Sequence, residues 1–225
     1  MRRLKIKSKQ YKYYSLFGMI LVAIKLGAML FVGRNLLLGG VIMPGGIIPF
    51  CTTFFILDIV TNNYGLANAR KMIFSLLLCE AIFSFIIYFT LKLTPVSPQY
   101  EASFKLVTQA VIRLFFGSFT ATIVAYFLNC YIFSKLYIFY SGKKLWFRCI
   151  LSTAAGELVF SVVWTFIYFY GRMNNEDKLL LVMDQYIFKV LFEIASIPVT
   201  YLIVELLDRY EVPREIKFID STSVQ

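Results

Sequence analysis

Long apolar stretches separated by short polar segments run through nearly the whole of this sequence. A helix needs about 20 apolar residues to cross the roughly 30 Å hydrocarbon core of a bilayer, and a soluble core has no use for repeated runs of that length. Each stretch is apolar throughout rather than alternating, which favours helices over barrel strands. The 225 residues have room for six spans, expected at 13–32, 41–60, 71–91, 104–133, 146–170 and 179–207, the last kinked at Pro198. Composition agrees: 59% of residues are hydrophobic and 16% charged, where a soluble domain has about 25% charged residues. The expected fold is an all-α integral membrane protein, a bundle of six transmembrane helices. It occupies 13–208, between a basic tail at 1–12 and a second tail at 209–225. A basic start before an apolar run also describes a signal peptide, but this run contains Lys25 and lacks a small-residue cleavage site.

The formal net charge of +10 sits mostly in the loops. One side of the expected bundle collects fifteen cations, among them Arg2, Arg3, Arg70, Lys71, Lys143 and Arg148. The other side collects five: Arg34, Lys92, Lys105, Arg172 and Lys178. Cationic loops stay cytoplasmic, so both termini are expected in the cytoplasm, in keeping with an even number of spans. Beside apolar spans this charge reads as topology and attraction to anionic lipid, not to nucleic acid.

Several chemistries are excluded. The chain has no His, so Ser-His-Asp and Cys-His catalysis and His-ligated metal are out of reach. No Gly-rich stretch ends in Lys-Ser or Lys-Thr, so the chain carries no phosphate-cradling loop of its own. Cys51, Cys79, Cys130 and Cys149 lie far apart in apolar surroundings, with neither metal-ligand nor redox spacing. No cofactor and no metal is expected.

The informative residues are charges inside the spans. An ionisable group in hydrocarbon costs about 2.5–3.5 kcal/mol on insertion scales, so it faces a cavity or a partner. Lys25, Glu80, Arg113, Glu157 and Lys189 each fall about ten residues into their spans, or about 15 Å, close to the midplane. Helical spacing extends three of them into polar faces: Gln109, Arg113, Gly117 and Thr120; Thr153, Glu157, Ser161 and Trp164; Gln185, Lys189, Glu193, Ser196 and Thr200. Gly117, Ala121 and Ala125 form a small-residue stripe that lets helices approach closely. The competing reading makes these charges structural ion pairs, such as Lys189 with Glu193 one turn on. A shared cavity with mixed donors, acceptors and aromatic walls suits a flat polar solute. A carboxylate such as Glu157 accepts paired N–H bonds, Arg113, Gln185 or Lys189 donates to a carbonyl, and Trp164 offers a stacking face. Residue chemistry alone does not choose between a guanine-like ring and a zwitterion.

The segment IPFCTTFFILDIVTNNYGLANARK carries a more specific pattern. A Phe-Pro-rich second span leads into Asp58, a polar turn, the pair Tyr64–Gly65, and then Ala69 and Arg70. Arg113 with Ser118 and Ala121 follows, then Arg148, Ser152–Thr153, Gly156 and Lys189. In this order and spacing the chain resembles the queuosine precursor transporter family, also described as vitamin uptake transporters. The chain departs from that pattern at Asn62, Asn129 and Phe160, where the family carries acidic residues, and at Glu157, often Gln or Asn there.

The resemblance implies bacterial inner-membrane uptake of a 7-deazaguanine (the cyano or aminomethyl precursor, or queuine) that feeds tRNA queuosine modification. Expected substrate-binding residues are Arg113, Glu157, Gln185, Lys189 and Trp164. Asp58, Asn62, Tyr64, Gly65 and Arg70 are expected to gate the site or to fix the turn after the second span. Expected partners are the small-molecule substrate and the lipid bilayer, with a homo-oligomer or an energising ATPase module left open. The main competitor is a substrate-capturing subunit of an ATP-driven importer. An intramembrane hydrolase and a purely structural membrane protein complete the alternatives.

Overall fold

The computed structural model describes residues 9–94, 96, 98–211 and 214–215. Much of the two expected tails, residues 1–8 and 216–225, lies outside the described residues. In chain order the elements are β1 (Lys9–Gln10), α1 (Tyr14–Phe31), β2 (Asn35–Leu38), β3 (Val41–Pro44), α2 (Ile47–Tyr64) and α3 (Leu66–Thr90). They are followed by α4 (Pro98–Phe139), α5 (Leu145–Tyr168), α6 (Asn175–Tyr210) and β4 (Arg214–Glu215).

Five helices are long and apolar enough to cross a membrane: α1, α3, the Arg113–Phe139 part of α4, α5 and α6. Their outer faces carry exposed large apolar side chains, such as Phe74 and Phe85 on α3 and Leu180 and Leu191 on α6. Charge inside and hydrocarbon outside is the polarity a bilayer demands.

The remaining helix, α2, is the exception for a physical reason. It touches all five others, and twelve of its eighteen residues are buried. A helix sheathed by protein need not present hydrocarbon to lipid, so α2 carries Thr53, Asp58 and Thr61 in its interior-facing set.

Three sequence expectations need correction. The second span does not begin at 41. Residues 35–44 form an antiparallel hairpin, Asn35 opposite Pro44 and Leu38 opposite Val41, turned by Gly39 and Gly40 at φ 58° and 86°. Two consecutive positive φ angles are what a two-residue hairpin turn of this kind requires, and glycine adopts them without strain. Apolar flanks hide that signal inside an apparent span. Met43 of this hairpin packs with Ile47, Cys51, Phe188 and Phe192, which fastens it against α6.

The fourth span is also different. α4 is 42 residues long, roughly 63 Å and about twice the hydrocarbon thickness. Its inward face carries Leu114, Ser118, Thr122 and Asn129, while Thr120 is exposed and Arg113 half-buried. The polar face expected through Arg113 and Thr120 is therefore rotated by about one residue. The side chain of Gln109 lies outside the described residues. The small-residue stripe, by contrast, does face inward, with Ala121 and Ala125 fully buried. Finally, the sixth span is longer than expected: α6 runs from Asn175 to Tyr210, with Pro198 inside it.

The two ends of the chain meet at one face of the bundle. Lys9 pairs with Glu215 and Gln10 with Arg214. The Glu211 carboxylate accepts from the backbone N–H groups of Lys12 and Tyr13 and from the Tyr64 hydroxyl. The start of α1, the α2–α3 turn and the end of α6 are thereby joined.

Gly156 sets the closest helix approach. A Cβ there would stand 2.9 Å from Phe54, 3.0 Å from the Asn129 Cβ and 3.1 Å from the Ala125 carbonyl oxygen. Gly156→Ala is expected to force α2, α4 and α5 apart at a cost of about 1–3 kcal/mol, read as a lower unfolding midpoint of the purified protein in detergent.

Candidate functional site: a buried polar pocket

Phe50 of α2 and Phe160 of α5 face each other with ring centroids 4.2 Å apart. Two lysines from different helices converge on this pair. Lys25 Nζ of α1 lies 4.7 Å from the Phe50 centroid and 5.1 Å from that of Phe160. Lys189 Nζ of α6 lies 4.7 and 4.8 Å from the same two rings. Each ammonium is also anchored by polar atoms. Lys25 donates to Thr122 Oγ1 at 3.0 Å. Lys189 donates to Ser161 Oγ at 3.0 Å and pairs with Glu157 Oε2 at 3.0 Å. Ring faces, a hydroxyl and a carboxylate together replace the water these cations lose.

The pocket these groups line also includes Ser118, Trp164 and Gln185, and it reaches toward the hairpin at Val32, Pro44 and Gly46. It contains about 430 Å³ free of atoms, open solvent at the mouth included, of which about 40 Å³ admits the centre of a water molecule. The interior is therefore tight: it takes a few waters as it stands, and a larger guest needs the walls to part.

Gln185 is the most telling lining group. It is buried, and its Nε2 has no hydrogen-bond partner. A buried amide donor left unmade costs about 1–3 kcal/mol. Facing a cavity, it is an open donor for whatever enters.

Of the expected binding residues, Gln185, Lys189 and Trp164 line the pocket and Glu157 stands directly behind Lys189. Trp164 offers little free face, since it stacks on Tyr168 at 5.1 Å and 11° between planes. Lys189 pairs with Glu157 on α5, not with Glu193 one turn along its own helix.

Arg113 is elsewhere. It is half-buried, and its guanidinium donates to the carbonyl of Tyr170, just beyond the end of α5. From Glu157 to the end of α5 at Tyr168 is roughly 16 Å. Depth counted from residue 104 puts Arg113 at the midplane, whereas the apolar crossing segment of α4 only begins at Arg113 itself.

The residues expected to gate or fix the turn also separate. Asp58 is fully buried between the helices, where its Oδ2 accepts from Thr153 Oγ1 at 3.4 Å. Asn62 accepts from Arg148 at 2.9 Å. The Tyr64 ring packs edge-on against Tyr11 and Tyr14. Gly65, at φ 82°, makes the turn into α3, and Arg70 is exposed.

Sequence reasoning leaves Lys25, Phe50 and Phe160 out of the binding set, Phe160 standing out only as a departure from the family pattern. The signal for Lys25 is present in its depth. Phe50 has none, being one aromatic among 23 phenylalanines.

Comparison with known proteins fits this geometry. A family model described as "Putative vitamin uptake transporter" matches residues 44–203, from the end of the hairpin to the late part of α6. The chain belongs to this family. Its members' shared segment thus contains every pocket-lining residue named above except Lys25 and Val32. The "Probable queuosine precursor transporter" of Bacillus subtilis (strain 168) is 28% identical over 199 residues, covering 84% of this chain and 86% of the relative. No solved structure matches the chain. With its apolar helices and this membership, the chain is a membrane protein and a transporter of the vitamin uptake family.

The Glu157–Lys189 pair yields a stability test. Breaking a buried pair strands a charge, at about 3–5 kcal/mol. Glu157→Gln is expected to lower the unfolding midpoint strongly, and adding Lys189→Met to it is expected to recover at least half of the loss. A double-mutant cycle on purified protein measures both.

Proposed function

We propose that this chain is an inner-membrane uptake transporter for a queuosine precursor of the 7-deazaguanine type, supplying tRNA queuosine modification. The observation that carries the reading is the unpartnered Gln185 amide in a pocket flanked by two lysines and walled by Phe50 and Phe160. A deazaguanine is flat, fits between aromatic walls and presents a ring carbonyl to donors such as Gln185 or Lys189. Its N–H edge needs a carboxylate, and Glu157 supplies one once Lys189 turns toward the guest. The name of the Bacillus subtilis relative supports the same substrate class.

In this reading all six helices cross the bilayer, α2 inside the other five, with both termini in the cytoplasm. The excess of loop cations on that side and the meeting of the two ends at one face support the orientation. The pocket opens past the hairpin toward the outside. Transport follows from rocking of helices around the bound base, which exposes the pocket alternately to the two sides.

Uptake of labelled cyano- and aminomethyl-deazaguanine by cells unable to make them provides the test, scored by queuosine in tRNA. Gln185→Ala and Phe160→Ala are expected to reduce uptake at least about tenfold, the loss of about 1.4 kcal/mol of recognition. Arg113→Ala is expected to stay within about twofold of the parent. Unchanged uptake in both pocket variants would remove the pocket from the mechanism. Uptake that vanishes when a separate ATPase is deleted would assign the chain to an ATP-driven importer instead.

A further inference from the structure

Beyond the pocket, toward the face where the chain ends meet, lies a second polar cluster that ligand recognition does not use. Asp58 of α2, Cys149 of α5 and Glu193 of α6 place ligand atoms within 4.8 Å of one another, all buried. Asn129 of α4 joins them through Thr153, its Nδ2 donating to Thr153 Oγ1 at 3.3 Å and that hydroxyl donating to Asp58 Oδ2 at 3.4 Å. Three oxygens here have no hydrogen-bond partner: Asp58 Oδ1, Glu193 Oε1 and Asn129 Oδ1. They come from three different helices, and their residues are at most 2% exposed.

The charge balance in the bundle points the same way. The described interior holds three buried cations, Lys25, Lys189 and Arg148, against four buried carboxylates, Glu80, Glu157, Asp58 and Glu193. Lys178, also buried, belongs to the first turn of α6 at the far end and is bonded to Asn175. Lys189 is paired with Glu157, while Lys25 donates to Thr122 and neither Glu80 oxygen has a hydrogen-bond partner among the described residues. Arg148 donates to Asn62 and to the Gly142 carbonyl and lies over the Phe133 and Tyr137 rings. It makes no salt bridge among the described residues. Asp58 and Glu193, with ligand oxygens within 4.8 Å of each other, make no salt bridge among the described residues. One positive charge is missing, and isolated charge in such a medium is expensive.

We propose that Asp58, Glu193, Asn129 and Thr153 bind one sodium ion, whose entry and exit accompany movement of the base. The coupling rests on the transporter reading above; the ion site does not. The donor set is oxygen from carboxylates, an amide and a hydroxyl, which suits a hard cation. A single charge balances the interior, whereas a divalent ion would overshoot. A proton bridges at most two oxygens and would leave one of the three unpartnered. Cys149 is the only sulfur in the cluster and a poor ligand for a hard ion. The ion would tie α2, α4, α5 and α6 together about one helical turn from the Lys189–Glu157 pair, so its occupancy biases how those helices close on the pocket.

The test needs no base. Purified full-length protein is unfolded thermally at constant ionic strength while sodium replaces N-methylglucamine, and the series is repeated across pH. The parent midpoint is expected to climb with sodium concentration as mass action requires. Asp58→Asn and Glu193→Gln each remove the surplus charge, so both should fold, checked by a single symmetric size-exclusion peak, and both should lose the sodium-dependent rise. Cys149→Ser should keep it. A parent midpoint indifferent to sodium overturns the proposal, as does a sodium response that survives in both isosteric variants. Dependence on pH alone assigns the missing charge to a proton and overturns the sodium site. Stabilisation by zinc that Cys149→Ser abolishes assigns it to a soft metal and overturns the sodium site equally. Each outcome is independent of base uptake, so failure here and failure of the transporter reading are read from different experiments.

Discussion

Hydrocarbon offers no hydrogen bonds and almost no dielectric screening, and the arrangement of this bundle follows from that poverty. A buried ionic group there is costly unless it finds a partner within the protein. Lys189 finds Glu157 and Ser161, Lys25 finds Thr122 and the Phe50 and Phe160 rings, and Arg148 finds Asn62 and two aromatic faces. Such contacts can form only if α1, α2, α4, α5 and α6 are brought to one axis in a fixed rotation. The charges thus specify the packing as much as the packing accommodates the charges.

Close approach of the helices is what makes these short contacts geometrically available. Ala121, Ala125 and Gly156 remove side-chain bulk where α4 and α5 cross. There is then no room for Asn129 and Thr153 to avoid each other. The same economy leaves a pocket with little spare volume. A pocket this tight is not a standing channel, and a base-sized guest could enter it only if the helices part.

Much of this is legible in the sequence because membrane burial makes charge conspicuous. Glu157, Gln185 and Lys189 stand out at helical spacing in apolar surroundings, and the structure brings them to one place. Arg113 stands apart from the pocket because α4 starts at Pro98 and its apolar crossing segment only at Arg113, which apolar periodicity does not report. The hairpin at 35–44 is hidden because Gly39–Gly40 interrupts residues that are apolar on both sides, so composition outvotes turn chemistry. Phe50 cannot be singled out at all. Aromatic residues are everywhere in this chain, and only contact with two ammonium groups distinguishes Phe50 and its neighbour Phe160. Asn129 is conspicuous in the sequence only for differing from a family pattern. Its meaning as part of an oxygen-lined cluster emerges when α4 is set beside α5.

The knot around Glu211 has a mechanical consequence. One carboxylate holds the entry to α1 and the Tyr64 ring at the α2–α3 corner, while its own backbone closes α6. A bundle stapled at that end behaves like a pair of tongs: small angular play near the staple becomes large excursion at the tips, where the β2–β3 hairpin rests on α6. The asymmetry leaves the hairpin end of the bundle freer to move than the end held at Glu211.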